Sequence, residues 1–241
     1  MSATKSSIAN NLERIRAEIV AACGRAGRSP REVSIVAVTK AVDLDAIKVL
    51  LELGLFDLGE SRTQQLAQRA GELEAYLQRR RNELGGKVRW HMVGHVQRNK
   101  VRGVLDVAGV IHSVDSLRLA EAINDKAEHM GRTVDVFLQV NCSEEPQKSG
   151  MAVGAAAHLA ELVGTLKNLR LLGLMTMAPL VDDPEKARPT FIRLRELFED
   201  MRHEKIGGPA FRHLSMGMTQ DYGVAVEEGA TVLRIGTALF Q

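Results

Sequence analysis

Eight short apolar runs alternate with longer segments of helical periodicity in a chain of 241 residues without a long linker. That order predicts an α/β fold, a single (β/α)8 barrel of the TIM type with an extra amino-terminal helix. The composition, 45% hydrophobic and 26% charged, suits one buried core, so residues 1–241 are expected to form one domain. A doubly wound open sheet shares the alternation, and the eight runs favour closure into a barrel.

Ile8, Leu12, Ile15, Ile19 and Ala22 recur at steps of three and four, which places an amphipathic helix within residues 1–28, packed on the barrel. The first strand is the apolar run 33–38, which leads to Lys40. Residues 43–53 read as helical, 56–59 as the second strand, the region around Tyr76 as helical, 89–94 as the third strand and 107–114 as the fourth. Helical periodicity returns over 116–130, before the fifth strand at 134–141. It recurs over 153–166 and 184–202, which flank the sixth strand at 169–177; the seventh strand is 211–215. The eighth is read over 231–240, so close to Gln241 that the opening helix is expected to fill the place of a closing one.

Acids and bases nearly balance at a formal net charge of +2, which argues against nucleic-acid or membrane-surface binding. The cluster at Arg79, Arg80 and Arg81 reads as a solvated helix end. Cys23 and Cys142 have neither a disulfide framework nor metal-ligand spacing, and no metal is expected. Residues 1–20 lack an apolar leader and no apolar run is long enough to span a bilayer, so a cytoplasmic location is expected.

In a barrel all strand carboxyl ends share one face, and active sites sit there. Lys40 at the end of the first strand presents an amine that can form a Schiff base at a pocket mouth, or it ends a strand and turns into solvent. The loop 215–221 and the pair Gly236 and Thr237 follow the seventh and eighth strands, where this fold tends to bind phosphate. Gly217 and Gly236 let an oxyanion approach the main chain or serve plain turns, while Ser215 and Thr237 add hydroxyl donors. Arg234 lies among Val232, Leu233, Ile235 and Ala238; its guanidinium stays protonated and can only donate. His91 and His213 read as hydrogen-bonded core or rim residues. Met175, Met177, Met216 and Met218 read as packing.

Several segments carry a resemblance to a known family. They are Ala37-Val-Thr-Lys40, Phe56-Asp-Leu-Gly-Glu-Ser61, Trp90-His-Met-Val-Gly94 with Gln97 and Asn99-Lys100, Lys148-Ser-Gly150, Gly173-Leu-Met175, Leu214-Ser-Met-Gly-Met218 and Val232-Leu-Arg-Ile-Gly-Thr237. In this order the chain resembles the pyridoxal phosphate homeostasis proteins. The resemblance implies a barrel similar to the amino-terminal domain of alanine racemase, with pyridoxal 5′-phosphate held as a Lys40 Schiff base. It places Ser215, Gly217, Gly236 and Thr237 in phosphate-binding segments and Arg234 near the pyridine nitrogen, where a donor keeps the ring unprotonated; Met218, read as packing, is also expected to touch the cofactor. It further implies cofactor buffering and delivery to pyridoxal phosphate-dependent apoenzymes without robust catalysis, by a monomer or weak dimer.

Two positions depart from the family pattern: Ser61 stands where asparagine is usual, and His95-Val-Gln-Arg98 replaces a proline-leucine-glutamine-serine run. An amino-acid racemase is the main alternative, and it needs proton donors and acceptors on both faces of the substrate carbon; Tyr222 is the nearest candidate. A Schiff-base aldolase acting on a phosphosugar shares the same site residues. Lys148 reads as part of a solvated loop ahead of an auxiliary anion site.

Overall fold

The computed structural model describes residues 4–40, 42–143, 145 and 148–241. Its eight strands are β1 (Ser34–Val38), β2 (Asp57–Glu60), β3 (Arg89–Met92), β4 (Val110–Val114), β5 (Val134–Gln139), β6 (Leu169–Met175), β7 (His213–Ser215) and β8 (Val232–Ile235). They pair parallel in sequence order and close through β1 and β8, with Ser34 beside Val232 and Ala37 beside Ile235. The predicted barrel is therefore the observed one.

Parallel strands bury both faces, so they read as near-continuous apolar runs, and every residue of β5 is buried. The helices that cover them are α1 (Lys5–Arg25), α2 (Leu44–Glu52), α3 (Thr63–Arg79), α4 (Val101–Leu105), α5 (Leu117–His129), α6 (Ala156–Gly164), α7 (Arg188–His203), α8 (Tyr222–Glu227) and α9 (Thr237–Phe240). Local signals set several starts. The Asp43 side chain accepts from the Ala46 amide at 2.8 Å to cap α2, and Thr4 caps α1 by accepting from Ser7 N at 3.2 Å.

Within the predicted 1–28 segment, α1 runs from Lys5 to Arg25, and residues 1–3 lie outside the described residues. Its buried face carries Ile8, Leu12, Ile15 and Ile19, each stabilising by about 1.5–3 kcal/mol on burial. The helix packs on α2, α8 and α9, and Asn11 Nδ2 donates to Leu239 O at 3.2 Å and Gln241 O at 2.9 Å. It thus covers the seam between the last strand and the first, as expected.

The eighth run is the main departure. Residues 231–240 do not form one strand: β8 stops at Ile235, Gly236 takes φ −114° and ψ −92°, and Thr237–Phe240 coil into α9. A four-residue apolar tail carries no period that separates strand from helix. Similarly, residues 107–109 lie in the connection between α4 and β4, and β7 begins at His213.

Candidate functional site

The strand carboxyl ends surround a cavity of about 520 Å³. Its wall includes Lys40, Ser61, Gln139, Met218, Thr219, Asp221, Arg234, Gly236 and Thr237.

Lys40 reaches this mouth because Thr39 pins the end of β1. Thr39 is fully buried; its amide donates to Gly59 O at 2.9 Å and its hydroxyl to Glu60 Oε1 at 2.8 Å. The next residue therefore leaves the barrel, and Lys40 is exposed. Glu60 is itself fully buried and pairs with Arg69 Nε at 2.8 Å. Burial pushes its carboxyl up, against Thr39, Arg69 and, more weakly, Lys40.

The loop after β7 divides between wall and support. Met218 faces the cavity; its amide donates to Asp221 Oδ1 at 2.6 Å. Thr219 also lines the cavity and accepts from the Ala238 amide at 3.2 Å, so it joins this loop to α9. Ser215 is fully buried and lies behind the lining, between Arg234 Nη1 at 2.7 Å and His112 Nδ1 at 2.8 Å. Gly217 also sits behind it, at φ 92°, where a Cβ would come within 2.6 Å of Ala225 Cβ. Its carbonyl accepts the Arg234 amide at 3.0 Å. Of the seven predicted site residues, Lys40, Met218, Arg234, Gly236 and Thr237 meet at the cavity, and Ser215 and Gly217 brace Arg234.

Arg234 is 4% exposed and donates Nη2 to Thr176 O at 2.8 Å. Burial pushes its guanidinium down to about 10, while Asp221 pulls the other way. Burial raises the Asp221 carboxyl, opposed by the Met218 amide and Arg234.

Ser61 lines the cavity and is crossed closely by Gly94, where a Cβ would lie 2.0 Å from Ser61 O. His95 is on the wall, 3.8 Å from Asp115 Oδ2, whereas Arg98 is exposed in a turn beyond it. Lys148 pairs with Glu145 at 2.6 Å beside Ser149, whose carbonyl accepts from Gln139 Nε2 at 3.0 Å. Tyr222 is half-buried, with Glu18 and Arg14 of α1 as its charged neighbours, and is not among the described residues that line the cavity. Among the described residues no group of acidic, histidine or cysteine side chains could hold a metal ion, and no helix is long and apolar enough to cross a membrane.

His91 is a buried core residue as expected, but its partner His112 was not legible in sequence. Burial holds His91 below the ordinary histidine range and His112 well below it. Below about pH 6.5 the unfolded chain takes up protons that the folded histidines refuse, so these groups make stability fall as the pH drops. Glu60 and Asp221, with raised carboxyls, act in the opposite sense. A His112→Phe variant keeps an aromatic ring against Phe137 and removes one histidine contribution. Its stability should fall less steeply than wild type between pH 6.5 and 5.5, by about 1 kcal/mol in urea unfolding. Parallel pH profiles would contradict this account.

The family model described as "Alanine racemase, N-terminal domain" matches residues 7–241. A curated relative from Aquifex aeolicus (strain VF5), called pyridoxal phosphate homeostasis protein, is 36% identical over 229 residues, covering 95% of each chain. One of the same name from Pseudomonas aeruginosa is 37% identical over 235 residues, covering 98% of this chain and 95% of its own. Among solved structures, PipY of Synechococcus elongatus PCC7942 with PLP bound superposes at a TM-score of 0.81 with 28% identity, covering 97% of this chain and 100% of that one. Alanine racemase of Clostridium difficile 630, at 17% identity and a TM-score of 0.72, shares the fold over 97% of this chain and 56% of its own. With the barrel, the cavity and these full-length matches in agreement, the chain belongs to the pyridoxal phosphate homeostasis protein family, within the alanine racemase N-terminal domain group.

Proposed function

We propose that this chain holds pyridoxal 5′-phosphate in the cavity through a Schiff base to Lys40 and serves intracellular cofactor homeostasis by buffering and delivery, without robust catalysis. Residues 1–241 would act as one domain in the cytoplasm, as a monomer or weak dimer. The observation that carries the reading is the convergence of an exposed lysine, a buried arginine and two hydroxyl-bearing loops on one cavity.

The lining fits the group. Its volume of about 520 Å³ lies in the range of small-molecule sites. Thr219, Gly236 and Thr237 offer hydroxyls and close backbone approach to a phosphate, while Arg234, a donor alone, suits an unprotonated ring nitrogen. When bound, pyridoxal phosphate would supply an aldehyde, and the Lys40 amine would hold it covalently. Exposure of Lys40 leaves the linkage open to attack by another amine, which delivery to an apoenzyme requires.

Racemisation needs a proton-transfer group on each face of the substrate carbon. Tyr222 turns toward α1, which supports the carrier reading over the racemase. The cofactor-loaded protein, incubated with L- and D-amino acids in D2O, should show no Cα deuterium exchange above free cofactor. It should also reconstitute a pyridoxal phosphate-dependent apoenzyme. Exchange that disappears in Lys40→Ala would establish the racemase instead. Cleavage of a phosphosugar without bound cofactor would favour the aldolase.

A further inference from the structure

A polar chain crosses the barrel interior from the start of β2 to the cavity wall. Asp57 Oδ1 lies 2.9 Å from His91 Nε2, and His91 Nδ1 lies 2.9 Å from His112 Nε2. His112 Nδ1 is 2.8 Å from Ser215 Oγ, which accepts from Arg234 Nη1 at 2.7 Å. His91 is 5% exposed and His112 and Ser215 are fully buried, whereas the Asp57 side chain is 37% exposed at the outer end. Five strands contribute the chain from Asp57 to Arg234, and the apolar residues Val36, Val110, Phe137 and Val232 fill the interior around it.

We propose that Asp57, His91, His112 and Ser215 form a directional hydrogen-bond relay that positions Arg234 and holds its spare N–H groups toward the cavity as donors to a ligand's ring nitrogen. The ligand part of this inference rests on the pyridoxal phosphate reading above.

The direction follows from donor and acceptor capacity. Arg234 can only donate, so Ser215 Oγ accepts there, and the Asp57 carboxylate can only accept. His91 must then carry its proton on Nε2, facing Asp57, which leaves Nδ1 as an acceptor. His112 therefore carries its proton on Nε2 and accepts on Nδ1 from the Ser215 hydroxyl. Every bond points from the guanidinium to the carboxylate. The opposite direction would bring His91 Nε2 and Asp57 Oδ1 together as two acceptors at 2.9 Å. Phe137 stacks on the His112 ring, with centroids 4.5 Å apart and planes at 22°, and so fixes its orientation. Arg89 is engaged by Asp135 at 2.5 Å, which leaves Asp57 to terminate the relay.

Asp57 lies outside the cavity lining, so Asp57→Asn tests the relay at a distance. An amide can donate as well as accept, so this variant removes the requirement on tautomer direction. Nitrogen NMR of the ligand-free protein should show both histidines as single Nε2–H tautomers in wild type and a mixture in Asp57→Asn. After addition of pyridoxal phosphate, Asp57→Asn should retain the Lys40 adduct with a shifted absorption band. Ser215→Ala, which cuts the link to Arg234, should weaken cofactor affinity by about tenfold. Nδ1–H tautomers in wild type would overturn the proposal, as would unchanged tautomers and band in Asp57→Asn together with unchanged affinity in Ser215→Ala. If wild type takes up no pyridoxal phosphate, the functional reading fails, and the tautomer signals decide the relay by themselves.

Discussion

Lys40→Ala is expected to abolish retained pyridoxal phosphate absorbance after desalting and to leave no borohydride-trapped adduct, while the fold is unchanged. The two halves of this expectation have separate causes. In the proposed site the Lys40 amine forms the covalent linkage, and no other residue on the cavity wall carries a primary amine among the described residues. The backbone that presents it is held by Thr39, through its bonds to Gly59 O and Glu60 Oε1, so the strand end survives without the side chain. Lys40 itself is exposed, and exposed substitutions of this kind change stability by within about 0.5 kcal/mol. Weak, reversible binding through Thr219, Gly236, Thr237 and Arg234 should persist as a quench of intrinsic fluorescence that dialysis removes. A stable visible band in Lys40→Ala would show that another residue carries the cofactor.

Gly173→Ala should be the most destabilising single substitution considered, with a loss of about 4 kcal/mol or more, or no folded protein at all. Gly173 pairs with His213 across β6 and β7, and a Cβ there would lie 1.7 Å from the His213 carbonyl oxygen and 2.7 Å from its carbon. Both atoms are backbone, so no rotamer change relieves the overlap. Separating the strands would break the bond from Arg212 N to Leu172 O at 2.9 Å and that from Thr176 N to Ser215 O at 3.2 Å. The site would suffer with the fold, because Thr176 O and Ser215 Oγ both receive Arg234. The check is the urea midpoint of Gly173→Ala against wild type; a loss below about 1 kcal/mol would contradict the packing described.

The barrel was legible because its strands are buried on both faces and its long helices repeat an apolar face at helical spacing. Short elements escaped for the same reason. Val101–Leu105, Tyr222–Glu227 and Thr237–Phe240 are too brief to display a period, and the last was absorbed into the eighth strand. At the cavity, sequence marked loops that reach its wall but could not say which of their atoms face inward. Ser215 alternates inward to brace Arg234, and Thr219, four residues on, supplies the hydroxyl at the wall. The relay was beyond reach. His91 and His112 meet because β3 pairs with β4 at His91 and Val110, a register that no local pattern announces.

The most direct test of the central claim is the visible absorption spectrum of the wild-type protein after addition of pyridoxal phosphate and desalting, followed by borohydride reduction and peptide mapping. The account predicts a retained yellow band and one reduced adduct, on Lys40. A protein that retains no band, or whose adduct maps to Lys148 or to any lysine other than Lys40, would contradict it.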